Sequence, residues 1–178
     1  MLNLYPVPQK IELLDGVFNV AEPFFVLYPA GDEMFEIVRA MHDRMETLAD
    51  IACSLIPDCR GKLNIGLSFE KLHLLHGEEY EIYVGSDGIR ILFGEPVGAF
   101  RAVTTFLQIV KKCGRRIPFV HIHDFPDLRV RGYMLDISRG KVPTLETLYA
   151  LVDMLADLKI NQLQMYLENL SYEYSNFP

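Results

Sequence analysis

Positive charge is scarce in this 178-residue chain: 17 lysines and arginines stand against 24 aspartates and glutamates, a formal net charge of −7. Polyanions and anionic membrane surfaces are recognised by basic faces, so nucleic acid and membrane are both excluded as expected partners. Cysteine is sparse too. Cys53, Cys59 and Cys113 are an odd set without metal-ligand spacing, which reads as reduced thiols and no metal site. No apolar run approaches a membrane span, and the opening Met1-Leu-Asn-Leu-Tyr-Pro lacks the basic and apolar regions of a secretion signal. The expected location is therefore cytoplasmic, although a chain trimmed of its leader and secreted would read the same. A phosphate-cradling loop, a dinucleotide fingerprint and a Gly-x-Ser-x-Gly elbow are all missing, and no cofactor is expected.

What is present is apolar patterning: half of the residues are hydrophobic, enough for one sizeable core or two small ones. Residues 10–14 and 17–20 flank Asp15-Gly16, a hairpin signal, and residues 24–28 form a further strand. A helix then starts at Gly31-Asp32, with Met34, Ile37, Val38, Met41 and Met45 on its buried stripe. Residues 56–61 read as loop, and residues 63–69 alternate with the period of a half-buried strand. Strands at 80–84 and 89–93 are joined through Asp87-Gly88. A second helix over 97–112 buries Ala99, Val103, Phe106 and Val110, and Lys111 and Lys112 suit its negative end. Residues 117–122 are one more strand. The sum is an α+β arrangement, an antiparallel sheet with two helices on one face. His121 and His123 share a strand face, but no further ligands complete a metal site, so they read as surface histidines beside Asp124. Pro126 stops any strand ladder and divides the chain into residues 1–125 and 126–178.

The last third reads as strand 130–137, a helix capped by Thr144, and strand 160–167. Two strands joined by a helix are parallel, and ligands gather at the carboxyl ends of such strands. Asp136, Arg139, Glu168 and Asn169 fall at that end, and Arg131 lies nearer the strand's start. On the residues alone, Arg131 reads as a structural arginine pairing with Asp136 or Glu168. Tyr166 shares the Glu168 face and reads as packing.

The run Arg131-Gly-Tyr-Met-Leu-Asp136-Ile-Ser-Arg139, then a helix and Lys159-Ile-Asn161, resembles the opening of the catalytic barrel of glycoside hydrolase family 20, the β-N-acetylhexosaminidases. The preceding stretch, a hairpin and a helix ending Thr104-Thr105-Phe-Leu-Gln108, resembles the accessory domain of the same family. The resemblance implies an accessory domain over 1–125 and a truncated (β/α)8 barrel over 126–178. It implies a glycan with terminal N-acetylhexosamine as substrate, and a route in which the substrate's own acetamido oxygen attacks the anomeric carbon. It makes Arg131 the residue that binds sugar hydroxyls, with Asp136 and Arg139 as a supporting pair. Asn169 stands where the family commonly has an aspartate, and Glu168 offers a carboxylate one position earlier. The family's catalytic Asp-Glu pair follows a later barrel strand. No catalytic residue is therefore expected in this chain, which should be inactive alone and should self-associate through its exposed barrel strands. The rival expectation is a non-catalytic module that binds a glycan or a partner.

Overall fold

The computed structural model describes residues 2–57 and 66–168. The chain forms two compact units, Met1–Asp127 and Leu128–Pro178. Among the described residues, the first unit holds seven strands and two helices: β1 (Lys10–Asn19), β2 (Phe24–Tyr28), α1 (Asp32–Ala49), β3 (Cys53–Pro57), β4 (Gly66–Lys71), β5 (Tyr80–Gly85), β6 (Gly88–Phe93), α2 (Pro96–Cys113) and β7 (Arg116–Asp124). The second holds β8 (Gly132–Asp136), α3 (Leu145–Asp157) and β9 (Gln162–Tyr166). The Asn169 position lies outside the described residues.

The sheet of the first unit has the order β1-β7-β5-β6-β4-β2-β3. It is mixed, which corrects the antiparallel reading: β2 runs parallel to β3 and β4, and β4 parallel to β6. For β2 and β3 the cause is α1, because a helix between two strands is a crossover and crossovers join parallel neighbours. Side chains of β5 alternate, with Tyr80, Ile82 and Val84 buried and Glu81 and Tyr83 half-buried on the other face. The buried side meets Met34, Val38, Met41 and Met45 of α1 and Ala99, Val103, Phe106 and Val110 of α2 in one apolar core. Both helices end as their sequences ask. α1 stops at Asp50 in the left-handed conformation, and the Gly114 N–H closes α2 onto the Val110 carbonyl.

Asp15-Gly16 does not turn a hairpin. β1 runs through it as one strand against β7, with a register shift between Leu13 and Val17. A side chain at Gly16 would meet the Phe119 ring 2.3 Å away, and its φ of 132° favours glycine. The pair marks a bulge, which needs the same permissive residue as a tight turn.

In the second unit β8 and β9 are parallel, paired from Gly132 with Gln162 to Asp136 with Tyr166. Thr144 caps α3 by accepting from the Thr147 N–H. The helix closes through Lys159, whose φ is 58°: its N–H donates to Ala156 O at 2.9 Å, and the Ile160 N–H to Leu155 O at 2.9 Å. That pair of bonds is the Schellman arrangement, here with a buried lysine where glycine is usual.

Candidate functional site

The predicted residues of the second unit separate onto opposite ends of β8 and β9. At the amino end the Arg131 Nε donates to Lys159 O at 2.9 Å and its Nη1 to Leu128 O at 2.7 Å. Asn161 straddles the same backbone: its Oδ1 accepts from the Arg131 N–H at 2.8 Å and its Nδ2 donates to Arg129 O at 2.8 Å. The Asn161 N–H returns a bond to Arg131 O at 3.0 Å. The Lys159-Ile-Asn161 motif thus extends the ladder below the strands, and the Arg131 guanidinium sits on main-chain carbonyls.

At the carboxyl end the side chains converge. Arg139 Nη2 donates to Glu168 Oε1 at 2.6 Å, and its Nε lies 3.7 Å from Asp136 Oδ2. Arg131 was the arginine that the residues alone paired with these carboxylates, and Asp136 with Arg139 the pair that the resemblance implied; the structure sets Arg139 beside both carboxylates. The Ser138 N–H donates to Asp136 Oδ1 at 2.9 Å, fixing the carboxylate at the strand end. The Ser138 Oγ accepts from the Glu168 N–H and lies 3.4 Å from Tyr166 O, so it joins the two strand ends. Tyr166, read from the sequence as packing, donates its phenol to Glu168 Oε1 at 2.6 Å. That hydrogen bond to a carboxylate, with a smaller contribution from burial, pushes the Tyr166 pKa above its ordinary value. Ser138 was given no role in the sequence reading, and Tyr166 was placed on the Glu168 face but read as packing. The signal was present in Tyr166 and Glu168, two apart in an extended segment and so on one face. The cluster is solvent-facing, with the Arg139 side chain 66% exposed. A guanidinium beside two carboxylates at strand ends can bind neutral polyols through its fork of donors.

In the first unit Asp32 and Glu33, the adjacent Asp-Glu pair of the sequence, occupy the exposed first turn of α1, where carboxylates favour the helix dipole. His121 and His123 are bonded to glutamates rather than set beside Asp124: His121 Nε2 lies 2.9 Å from Glu81 Oε2, and His123 Nε2 lies 2.8 Å from Glu79 Oε1. Asp124 is buried and accepts from the Tyr80 hydroxyl at 2.8 Å. Among the described residues no group of three or more histidines, cysteines and carboxylates is arranged to hold a metal ion, and no helix is long and apolar enough to cross a membrane.

Comparison with known proteins adds to this geometry. A β-hexosaminidase of Vibrio furnissii is 33% identical over 171 residues, covering 93% of this chain and 26% of the relative. The N,N'-diacetylchitobiase of Vibrio harveyi is 27% identical over 170 residues, covering 93% of this chain and 18% of the relative. The chain thus spans about a quarter or less of the length of these two relatives. The solved chitobiase of Flavobacterium johnsoniae superposes with a TM-score of 0.77 at 27% identity, over 92% of this chain and 27% of that one. A Streptomyces plicatus β-hexosaminidase shares the fold at a TM-score of 0.79 and 18% identity, over 93% of this chain and 34% of that one. Residues 1–125 match the family description "Glycosyl hydrolase family 20, domain 2". With that match covering most of its length, the chain belongs to glycoside hydrolase family 20.

Proposed function

We propose that the chain is the front part of a β-N-acetylhexosaminidase. Residues 1–125 are its accessory domain, and residues 126–178 open its catalytic (β/α)8 barrel. The enzyme removes terminal N-acetylhexosamine from glycans by substrate-assisted, retaining hydrolysis. One observation carries this reading: solved β-N-acetylhexosaminidase and chitobiase chains cover more than nine tenths of this one, which the first unit alone could not supply. The parallel β8-α3-β9 unit is of the kind that begins such a barrel. The acetamido-orienting aspartate and the acid glutamate are assigned to sequence beyond this chain, whose own Asp-Glu pair lies in α1.

Within the chain, we assign the sugar-facing guanidinium to Arg139 and give Arg131 an architectural role. Barrel enzymes carry their sites at the carboxyl ends of the strands. Arg139 stands there with Asp136 and Glu168, whereas Arg131 is held at the other end on two carbonyls. Asp136, anchored by the Ser138 N–H, and Glu168 hold the plane of the Arg139 fork. Without the remaining barrel strands, Tyr133, Met134 and Met165 stay exposed, and the isolated chain self-associates through them.

The test of the route uses the protein carrying its natural downstream sequence and two aryl glycosides, one with a 2-acetamido group and one with a 2-hydroxyl. Cleavage of the first alone is expected. Equal cleavage of both would show that the acetamido oxygen is not the nucleophile.

A further inference from the structure

Glu168 is the hub of the carboxyl-end cluster, and its Oε1 receives two donors at once, the Arg139 Nη2 and the Tyr166 hydroxyl, each at 2.6 Å. Its main-chain N–H is tied to the Ser138 Oγ as well. The two ionic side chains are open to water, at 66% and 40% exposure, and an exposed pair of that kind is worth little and swings easily. The phenol changes this. Tyr166 is the last residue of β9, opposite Asp136, the last of β8, so it stands on the parallel ladder rather than on a loop. Its ring has two rotatable angles, and its hydroxyl therefore offers a fixed point to a carboxylate otherwise carried on a flexible stem.

We propose that Tyr166 is a positioning residue for the sugar site. It fixes Glu168, and through Glu168 it sets the plane of the Arg139 guanidinium before an N-acetylhexosamine hydroxyl arrives. The inference rests on the hexosaminidase reading and on Arg139 as the sugar-facing group. Binding gains when a donor fork is ordered in advance, because the cost of ordering it is no longer met by the ligand. Toward Glu168 the phenol acts as the donor, since an ionised carboxylate can only accept. Its contribution thus persists for as long as Tyr166 keeps its proton.

The experiment is kinetic, on the protein carrying its downstream sequence, with an aryl β-N-acetylhexosaminide as substrate. Tyr166→Phe removes the hydroxyl and keeps the ring. The expected result is a KM raised about 3- to 10-fold with kcat within about twofold, the scale of one solvent-exposed hydrogen bond acting on binding alone. Tyr166→Phe combined with Glu168→Gln is expected to be no worse than Glu168→Gln by itself, because both act through one carboxylate. Wild-type kinetics in Tyr166→Phe, or losses that multiply in the double variant, would overturn the positioning role and leave the hydrolase reading standing. No hydrolysis by the wild type would overturn that reading and the role together. A second measurement needs no turnover. The ultraviolet difference titration between the 178-residue chain and its Tyr166→Phe form is expected to show one phenol ionising above the ordinary tyrosine range, and Glu168→Gln to return it to that range. A phenol that titrates normally in the wild type would also overturn the role.

Discussion

Removing Glu78 tests how the first unit holds its core. Glu78 lies in the turn before β5, and its Oε2 accepts from Arg101 Nε of α2 at 2.6 Å. The side chains are only 6% and 14% exposed, so solvent screens the pair weakly. Glu78→Leu leaves a guanidinium buried without this partner, a change that costs about 3–5 kcal/mol in buried ion pairs. For a domain of this size each kcal/mol moves Tm by roughly 4 °C, so the main calorimetric transition should fall by about 12–20 °C. The double variant Glu78→Leu/Arg101→Met replaces both charges by apolar groups, and such replacements are neutral to stabilising. Its Tm should therefore return to within about 4 °C of wild type or exceed it. Scanning calorimetry of the chain and its variants supplies the numbers. A single variant as stable as wild type, or a double variant that loses as much as the single, would refute the claim that the buried charge needs its partner.

Three residues from Arg101 on the same helix, Gly98 presses on the same turn: an added Cβ would lie 2.6 Å from Glu79 O and 3.1 Å from Gly77 O. Helix propensity alone favours Gly98→Ala by about 0.5–1 kcal/mol, but overpacking against a backbone costs about 1–3 kcal/mol, so a lower denaturant midpoint is expected and a higher one would contradict the contact. Tyr83 has its pKa raised to about 12, by burial first and then by its hydrogen bond to Glu81 and that residue's charge, with Arg90 pulling the other way. Its contribution is whole below the unfolded tyrosine value near about 10 and is lost as pH rises toward the folded value. Tyr83→Phe should flatten that alkaline limb of the stability profile; an unchanged limb would contradict the assignment. Burial works to raise the Glu81 carboxyl, but hydrogen bonds from Tyr83 and His121 and the charges of His121 and His123 outweigh it and hold it below its usual value. The stability it adds is present above that usual value and lost as pH falls through the lowered one, so Glu81→Gln should flatten the acid limb measured by urea midpoints.

Local patterns made part of this molecule legible from sequence. The helices α1 and α2 follow from apolar residues at helical spacing, and the β5-β6 hairpin from Asp87-Gly88 between two alternating runs. In each case the residues that carry the signal are also the ones that bond or pack. Asp15-Gly16 misled because a bulge and a hairpin ask the same backbone freedom of glycine, and only the pairing of both halves of β1 with the distant β7 decides between them. β3 went unread because Cys53–Pro57 is short and ends in proline; its strand character comes from lying beside β2. Mixed pairing across the sheet is likewise a long-range choice that no single segment encodes. At the candidate site, sequence spacing placed Asp136, Arg139 and Glu168 at one end of the parallel pair, and the structure finds the three together. The resemblance paired Asp136 with Arg139 but gave the sugar to Arg131, whose guanidinium the structure holds on the Lys159 and Leu128 carbonyls; the Lys159 carbonyl is set by the left-handed turn that closes α3, which no sequence pattern announced.

The account turns on where hydrolytic chemistry resides, and one comparison reads it out: release of the aryl group from an aryl N-acetylglucosaminide by the 178-residue chain and by the same protein carrying its downstream sequence. The account predicts no release above blank by the chain alone and sustained turnover by the longer protein. Turnover by the chain alone, or none by the longer protein, would contradict it.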